Sequence, residues 1–224
     1  EISACLVGSE MCIRDRGSIM YNGCELRNVA DNVRSGIISY LGHDPELFND
    51  SVRNNVLLGD DYDVFEYLRA VCMDKEVEAM EQGADTIIGS EGIRLSGGQA
   101  QRIALARTLC HKKLVLVLDD PFSALDRNTE EQIYKKLKDM ASDNIVILIS
   151  HRLYMFPKMD KVIWMDAGKA NVGTHKELML ECPGYRKMYE TVSVEECRAV
   201  ETENEGLAAA KVVENSRRVV DKHE

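Results

Sequence analysis

A short motif rich in glycine stands directly before a run of strong helix formers at residues 100–109. The motif consists of Leu95, Ser96, Gly97, Gly98 and Gln99. At a helix start, backbone N–H groups carry partial positive charge, and glycines allow a ligand to approach them closely. The spacing therefore predicts an anion site that suits a phosphate group, although an ordinary capped helix would need only the serine and one glycine.

Two carboxylates follow an apolar segment further along the chain. Residues 114–118 are apolar throughout, which predicts a strand buried on both faces of a parallel sheet, and Asp119 and Asp120 come next. Open α/β sheets bind ligands at the carboxyl ends of their strands. One carboxylate at that edge can hold Mg²⁺, and its neighbour can orient or deprotonate an attacking water molecule.

A histidine follows the next apolar segment. Residues 144–149 predict a second strand buried on both faces, and His151 comes two residues after its end. From the carboxyl end of a neighbouring strand, its ring can reach a terminal phosphate. A single histidine is more often an ordinary surface or core residue, so this interpretation depends on the motifs that accompany it.

The remaining pattern predicts an α/β architecture with a helical insertion. A region of helical character at about 50–109 precedes the strand at 114–118, and residues 129–140 predict an amphipathic helix. Further on, residues 162–170 predict a hairpin, and Thr174 is expected to cap a short helix.

In this order and spacing, the segments from residue 17 to about residue 189 resemble ABC ATPases. The matching segments are the signature loop at 95–99, the Walker B strand at 114–120, the D-loop at 123–126 and the switch histidine at His151. The resemblance implies an ATPase that uses ATP and Mg²⁺.

Residue roles follow from this resemblance. It implies that Asp119 binds Mg²⁺, that Asp120 activates water and that His151 contacts the γ-phosphate of ATP. It also implies a dimer of two ABC ATPase domains, in which each domain presents its signature to a nucleotide on the other. The residues that it assigns to this nucleotide contact are Leu95, Ser96, Gly97, Gly98, Gln99 and Asp126.

Two flanking segments favour the exporter branch of the family. Residues 86–92 resemble the loop that contacts membrane domains, although Ile87 replaces its first acidic residue, and residues 173–178 resemble a tail motif of exporter domains. The resemblance implies a motor at the cytoplasmic face of the cell membrane. Its transmembrane domain would belong to the same polypeptide and lie outside this sequence.

The largest departure from the family is the phosphate loop. No G-x-x-x-x-G-K-[ST] motif occurs, and the single Gly-Lys pair, Gly168 and Lys169, lies in the predicted hairpin. Residues 7–16 resemble translated sequencing-adapter read-through, so this part of the chain is expected to be foreign to the domain. We therefore expect a P-loop NTPase-like fold that is incomplete at its N-terminus and inactive as this chain alone.

The predicted organisation has three parts. Residues 1–16 are a non-native segment, residues 17–190 are the α/β ABC ATPase domain, and residues 191–224 are a polar, acidic and flexible tail. Within the domain, the helical signature subdomain is expected at residues 49–110.

Two departures affect the site itself. Asp120 stands where the family usually has glutamate, which shortens the reach of the carboxylate by about 1.5 Å and can cost on the order of a hundredfold in rate. His43 stands where the Q-loop glutamine is expected, and its imidazole can still bind metal or water. Exporters with one weakened site often keep an intact signature, so a heterodimer is favoured over a homodimer in which Asp120 works adequately.

Composition excludes some alternatives. The formal net charge of −10 argues against a nucleic-acid partner, because phosphate contacts need clustered Lys and Arg. The seven cysteines show no spacing typical of zinc ligands, which indicates reduced thiols in a cytosolic protein. The longest apolar runs are far shorter than the roughly 20 residues that span a bilayer.

Three functions remain open at this point. The first is an ATP-driven exporter motor, and the second is a non-hydrolysing module that donates its signature loop to a partner. The third is a soluble ABC ATPase of DNA repair or chromosome maintenance, which the lack of coiled-coil heptads beside the signature disfavours.

Overall fold

The computed structural model describes residues 18–21, 23–89, 92–166 and 168–191. The chain divides into two compact units, Glu1–Ser150 and His151–Glu224. The predictions for residues 1–16 and 192–224 concern parts of the chain outside the described residues.

The first unit contains seven strands and six α-helices among its described residues. The strands are β1 (Met20–Tyr21), β2 (Cys24–Glu25), β3 (Ile38–Leu41), β4 (Asp50–Ser51), β5 (Ile87–Ile88), β6 (Val115–Asp119) and β7 (Ile145–Ile149). The helices are α1 (Asp31–Arg34), α2 (Val52–Leu57), α3 (Val64–Ala70), α4 (Asp74–Glu78), α5 (Gly97–Cys110) and α6 (Arg127–Met140).

A three-stranded parallel sheet carries the candidate site. Its strand order is β3-β6-β7, with Leu41 opposite Leu118 and Leu118 opposite Leu148. Because all three strands run the same way, their carboxyl ends meet at one edge of the sheet. The predicted α/β class is confirmed.

The prediction that both apolar strands are buried on both faces is wrong for this unit. In β6, only the face of Leu116 and Leu118 is fully buried. In β7, Ile145, Ile147 and Ile149 are 40 to 56% exposed. The reason is that β7 is an edge strand, since within the described residues it pairs only with β6.

Helices α2, α3 and α4 lie beside the long helix α5. The apolar stripe that the sequence predicts on α5, at Ile103, Ala106 and Leu109, is fully buried. α5 packs on α2, on α3 and on β3, so it joins the helical region to the sheet. None of the described helices is long and apolar enough to cross a membrane.

The second unit contains the predicted hairpin, formed by β8 (Val162–Asp166) and β9 (Lys169–Gly173), with Gly168 at φ +76° in the turn. Thr174 caps α7 (His175–Glu181) through a capping box with Glu177, which confirms the predicted helix start. Residues 183–191 are also helical.

A small core holds this second unit together. Tyr185 is fully buried with Val162 and Leu178, and its hydroxyl lies 2.8 Å from Nδ1 of His175. Burial, assisted by the nearby Tyr189, raises the pKa of Tyr185 to about 12. The phenol therefore stays neutral at physiological pH and keeps its hydrogen bond with His175.

The exposed apolar face of β7 leads to a prediction about the chain on its own. We expect this chain to self-associate through β7, because an exposed apolar edge strand favours pairing with another copy. Ile147→Lys should weaken the association about tenfold or more, the effect of removing one buried isoleucine from an interface. Sedimentation velocity would measure the change.

Ile163→Lys is the matched control, because Ile163 is also an exposed isoleucine of a strand, 60% exposed in β8 against 40% for Ile147 in β7. If both substitutions weakened self-association equally, the cause would be a general effect of the added charge, and a specific role of β7 would be contradicted.

Candidate nucleotide-binding site

The signature motif forms the start of α5, where the sequence predicts a helix. Ser96 is the N-cap, and its Oγ accepts a hydrogen bond of 3.3 Å from the backbone N–H of Gln99. In return, Oε1 of Gln99 accepts a bond of 2.9 Å from the backbone N–H of Ser96. This capping box satisfies two backbone donors reciprocally and fixes the first turn of the helix.

The two signature glycines meet different surroundings. A β-carbon at Gly98 would lie 2.9 Å from the carbonyl oxygen of Ala124 in the D-loop segment, so packing inside the unit requires glycine there. A β-carbon at Gly97 would meet no described atom within 4 Å, and neither glycine has a positive φ. Internal packing and backbone conformation therefore do not explain the glycine at position 97.

The carboxylate pair lies at the carboxyl edge of the sheet. Asp119 ends β6, and Asp120 follows with a left-handed φ of 47°, which is uncommon for a residue other than glycine but tolerated by aspartate. The backbone N–H of Asp120 donates to the carbonyl of Ile149, at 2.8 Å, so the pairing with β7 continues into the turn.

A side chain of α5 holds this turn from the other side. The fully buried Gln101 donates from Nε2 to the carbonyl oxygen of Asp120 at 2.8 Å, and its Oε1 accepts from Oγ of Ser123 at 3.1 Å. The signature helix and the carboxylate edge are thus tied together within one chain.

His43 and Tyr40 reach the same edge from β3 and the residues after it. Nδ1 of His43 lies 3.9 Å from Oδ2 of Asp120, which is beyond hydrogen-bond distance but close enough for an ion pair when the imidazole is protonated. The hydroxyl of Tyr40 donates to Oδ2 of Asp119 at 3.4 Å. Burial, then the charge and hydrogen bond of Asp119, raise the pKa of Tyr40, so its hydroxyl remains a donor.

The structure brings three of the predicted site residues together and leaves others apart. His43, Asp119 and Asp120 share the carboxyl edge of the sheet. His151 belongs to the second unit, so its predicted role stays a prediction. Asp126 caps α6 through a bond of 3.0 Å from the N–H of Thr129, and the hydrogen bonds from Thr129 lower its pKa.

The exposure of the signature differs along its length. Ser96 and Gly97 are exposed, whereas Leu95, Gly98 and Gln99 are half-buried. In the predicted membrane-domain loop, Ile87 belongs to β5, and residues 90 and 91 lie outside the described part of the chain.

Sequence reasoning missed an anchor for the segment that follows His43. The guanidinium of Arg107 donates to the carbonyl of Asn55 at 2.6 Å and to that of Glu46 at 3.0 Å, and it lies 4.8 Å from the ring centre of Phe48. Burial lowers the pKa of Arg107. The fully buried amide of Asn55 also bonds to the backbone of Phe48 in both directions, at 2.8 and 3.0 Å.

Comparison with known proteins agrees with this geometry. Residues 3–123 match the ABC transporter family. The match begins inside the segment predicted to be foreign, and the origin of residues 1–16 stays a prediction.

Three relatives illustrate the similarity. The chain is 34% identical over 173 residues to ABC transporter B family member 1 of Dictyostelium discoideum, covering 75% of this chain and 19% of the relative. It is 34% identical over 181 residues to the ATP-dependent lipid A-core flippase of Alcanivorax borkumensis, covering 78% and 31%. It is also 34% identical over 179 residues to YheI of Bacillus subtilis, a probable multidrug resistance ABC transporter ATP-binding/permease protein, covering 78% and 31%.

A solved structure of a bacterial Atm1-family ABC exporter with ATP bound has the same fold, with a TM-score of 0.73 at 30% identity. The match covers 80% of this chain and 32% of that one. This chain thus spans about a third or less of the length of each of these relatives. The sequence match, the curated relatives and the shared fold lead to one conclusion: the chain belongs to the ABC transporter family, as an ATP-binding domain of the exporter type.

Proposed function

We propose that this domain is the ATP-hydrolysing motor of an exporter and that it works as one half of a domain dimer. The observation that carries the proposal is the exposed start of α5, where Gly97 faces open space. A glycine that internal packing does not require is explained by the close approach of a ligand from outside, and N–H groups at a helix start suit a phosphate.

The carboxylate edge supports the same proposal, because its residues fit the chemistry of Mg²⁺. The cation prefers oxygen ligands and usually keeps several waters, taking one or two protein carboxylates together with substrate phosphates. Asp119 supplies such a carboxylate, and Tyr40 orients it through one of its oxygens.

Asp120 is the residue that we assign to the attacking water. When ionised, its carboxylate accepts a hydrogen bond from that water, orients it and takes up its proton as the water oxygen bonds to the γ-phosphorus and the bond from that phosphorus to the oxygen of ADP breaks. The left-handed turn and the bond from Gln101 fix the backbone of Asp120, so its short side chain cannot gain reach by a backbone shift without breaking these contacts. His151 is assigned to the γ-phosphate through the family resemblance.

A second candidate function is a degenerate subunit that donates its signature loop and hydrolyses slowly at its own site. Two observations favour it: Asp120 is short and almost fully buried, and the imidazole of His43 lies 3.9 Å from its carboxylate. The capping box at Ser96 is intact in the same chain. In this candidate the partner is a different ABC subunit that has glutamate at the position equivalent to Asp120, so the pair is a heterodimer.

The proposed setting follows from the relatives. The named relatives include a lipid flippase, a multidrug resistance protein and an exporter, and this chain covers only part of each. We propose that the chain belongs to a longer polypeptide with a transmembrane domain and acts at the cytoplasmic face of the cell membrane. The third sequence hypothesis, a DNA-repair ATPase, gains no support from these relatives.

Replacing Asp120 by glutamate distinguishes the two candidates. In the full-length protein, Asp120→Glu should raise ATP turnover by up to about a hundredfold if lost reach limits the site. Steady-state phosphate release at saturating ATP measures the effect. Unchanged turnover would contradict the degenerate-site candidate and leave the ordinary motor.

Asp119→Glu is the control for the added methylene. It lengthens the neighbouring carboxylate, which we assign to Mg²⁺, and should lower turnover rather than raise it. If ATP turnover rose in both variants, the cause would be a change of packing at this edge and not the longer reach of the carboxylate at position 120.

The signature glycines allow a test of the motor proposal. Gly97→Ala should leave the free energy of unfolding within about 1 kcal/mol of the parent protein, because alanine is a better helix former and has space there. The same variant should lower ATP turnover about tenfold or more, since the added methyl group blocks the approach of the nucleotide. Chemical denaturation and phosphate release measure the two effects.

Gly98→Ala is the matched control, because its methyl group would press on the carbonyl of Ala124 and cost about 1 to 3 kcal/mol of stability. Full activity of Gly97→Ala would contradict the assignment of this helix start to a nucleotide.

A further inference from the structure

Glu76 of α4 contacts the signature helix through both of its carboxylate oxygens. Oε2 accepts a hydrogen bond of 2.8 Å from Nε2 of Gln99, and Oε1 lies 2.8 Å from Nη1 of Arg102. Gln99 and Arg102 are three positions apart on α5 and therefore lie on the same side of the helix. Glu76 thus bridges the first and second turns of α5 from a neighbouring element.

Gln99 relays this contact to the cap of the helix. Its Oε1 accepts from the backbone N–H of Ser96 while its Nε2 donates to Glu76, so both ends of one amide are occupied. An amide held at both ends has a fixed rotamer, because rotation would break two hydrogen bonds. The Glu76 carboxylate contacts the side-chain amide of Gln99, and that amide contacts the backbone of Ser96. The position of Glu76 therefore influences the geometry of Ser96.

Arg102 anchors the other half of the bridge. It is largely buried, and the same Nη1 donates to the carbonyl of Cys72 at 2.8 Å, in the turn that precedes α4. Its Nε donates to the carbonyl of Gly98 at 3.3 Å. Arg102 therefore connects a signature glycine to the turn before α4, and Glu76 connects the signature cap to α4 itself.

The contacts of Glu76 favour the ionised form of its carboxyl group. Burial alone raises the pKa of its carboxyl, but the hydrogen bonds from Gln99 and Arg102 and the charge of Arg102 outweigh it, and the pKa is lowered. The carboxylate is therefore ionised at neutral pH and accepts both bonds as a charged group, which makes them stronger than neutral ones.

We propose that Glu76 is a positioning residue for the signature loop. Its carboxylate holds Gln99, Gln99 holds the backbone of Ser96, and the exposed segment of Ser96 and Gly97 is thereby presented in one geometry. This inference rests on the proposed function, in which that segment contacts a nucleotide bound to a second domain. Glu76 itself contacts no nucleotide and acts only through Gln99 and Arg102.

The test measures how much ATP is needed to close the domain dimer. In full-length protein carrying Asp120→Asn to stop turnover, Glu76→Ala should raise the ATP concentration for half-maximal closure about tenfold, the loss expected from two charged hydrogen bonds. Energy transfer between dyes on the two ATPase domains reports closure. Glu76→Gln keeps one acceptor oxygen and should give an intermediate shift.

Glu78→Ala is the matched control, because Glu78 is an exposed residue on the same helix. It should close at the same ATP concentration as the parent protein. Thermal melting of each variant separates a general loss of stability from a change at the signature. A lower melting temperature in Glu76→Ala with an unchanged ATP requirement would overturn the inference.

Failure of the proposed function gives a different result. If the parent protein itself shows no ATP-dependent closure, the motor proposal is overturned, and the positioning role of Glu76 is overturned with it. If the parent closes and both Glu76 variants close at the same ATP concentration, only the role of Glu76 is overturned.

Discussion

The burial of α5 on all sides of its middle turns is the interaction on which the first unit depends, because residues 101, 103–106, 108 and 109 are buried and lie all around the helix. Ile103, Leu105 and Leu109 are fully buried between the helical region and the sheet, and each such side chain contributes about 1.5 to 3 kcal/mol when it leaves water. Because the helix is rigid, packing its middle also fixes its first turn. The signature motif is therefore positioned by hydrophobic contacts that lie further along the same helix and touch no ligand.

Polar contacts then connect this rigid helix to the carboxylate edge of the sheet. The carbonyl of Asp120 accepts from Gln101, two residues beyond the signature, while Gly98 packs closely on the D-loop segment at Ala124. A buried polar side chain such as Gln101 is costly unless its donor and its acceptor are both satisfied, and here both are. The signature of one chain and the carboxylates of the same chain therefore cannot move independently without breaking buried hydrogen bonds.

The sequence predicted the structural features that depend on residues close together in the chain. The strand before Asp119, the helix start at Ser96 and the cap at Thr174 follow from residue types within a few positions of each site, and the structure has all three. The bridge at Glu76 lies 23 residues from Gln99, and the hydroxyl of Tyr40 meets a carboxylate 79 residues away. Such contacts depend on tertiary packing, for which a single sequence carries no periodic signal. The exposure of β7 has the same origin, since apolar composition reports how a strand prefers to pack and not which neighbours cover it.

The two departures at the site, His43 and Asp120, are physically coupled. Their side chains approach within 3.9 Å, so the length of the side chain at position 120 changes how closely the imidazole can approach the carboxylate. Substitutions at contacting positions are not additive. A glutamate at position 120 would extend toward His43 as well as toward water, and its effect on hydrolysis would include the change in that contact. The contact between the two side chains therefore couples a substitution at either position to the residue at the other.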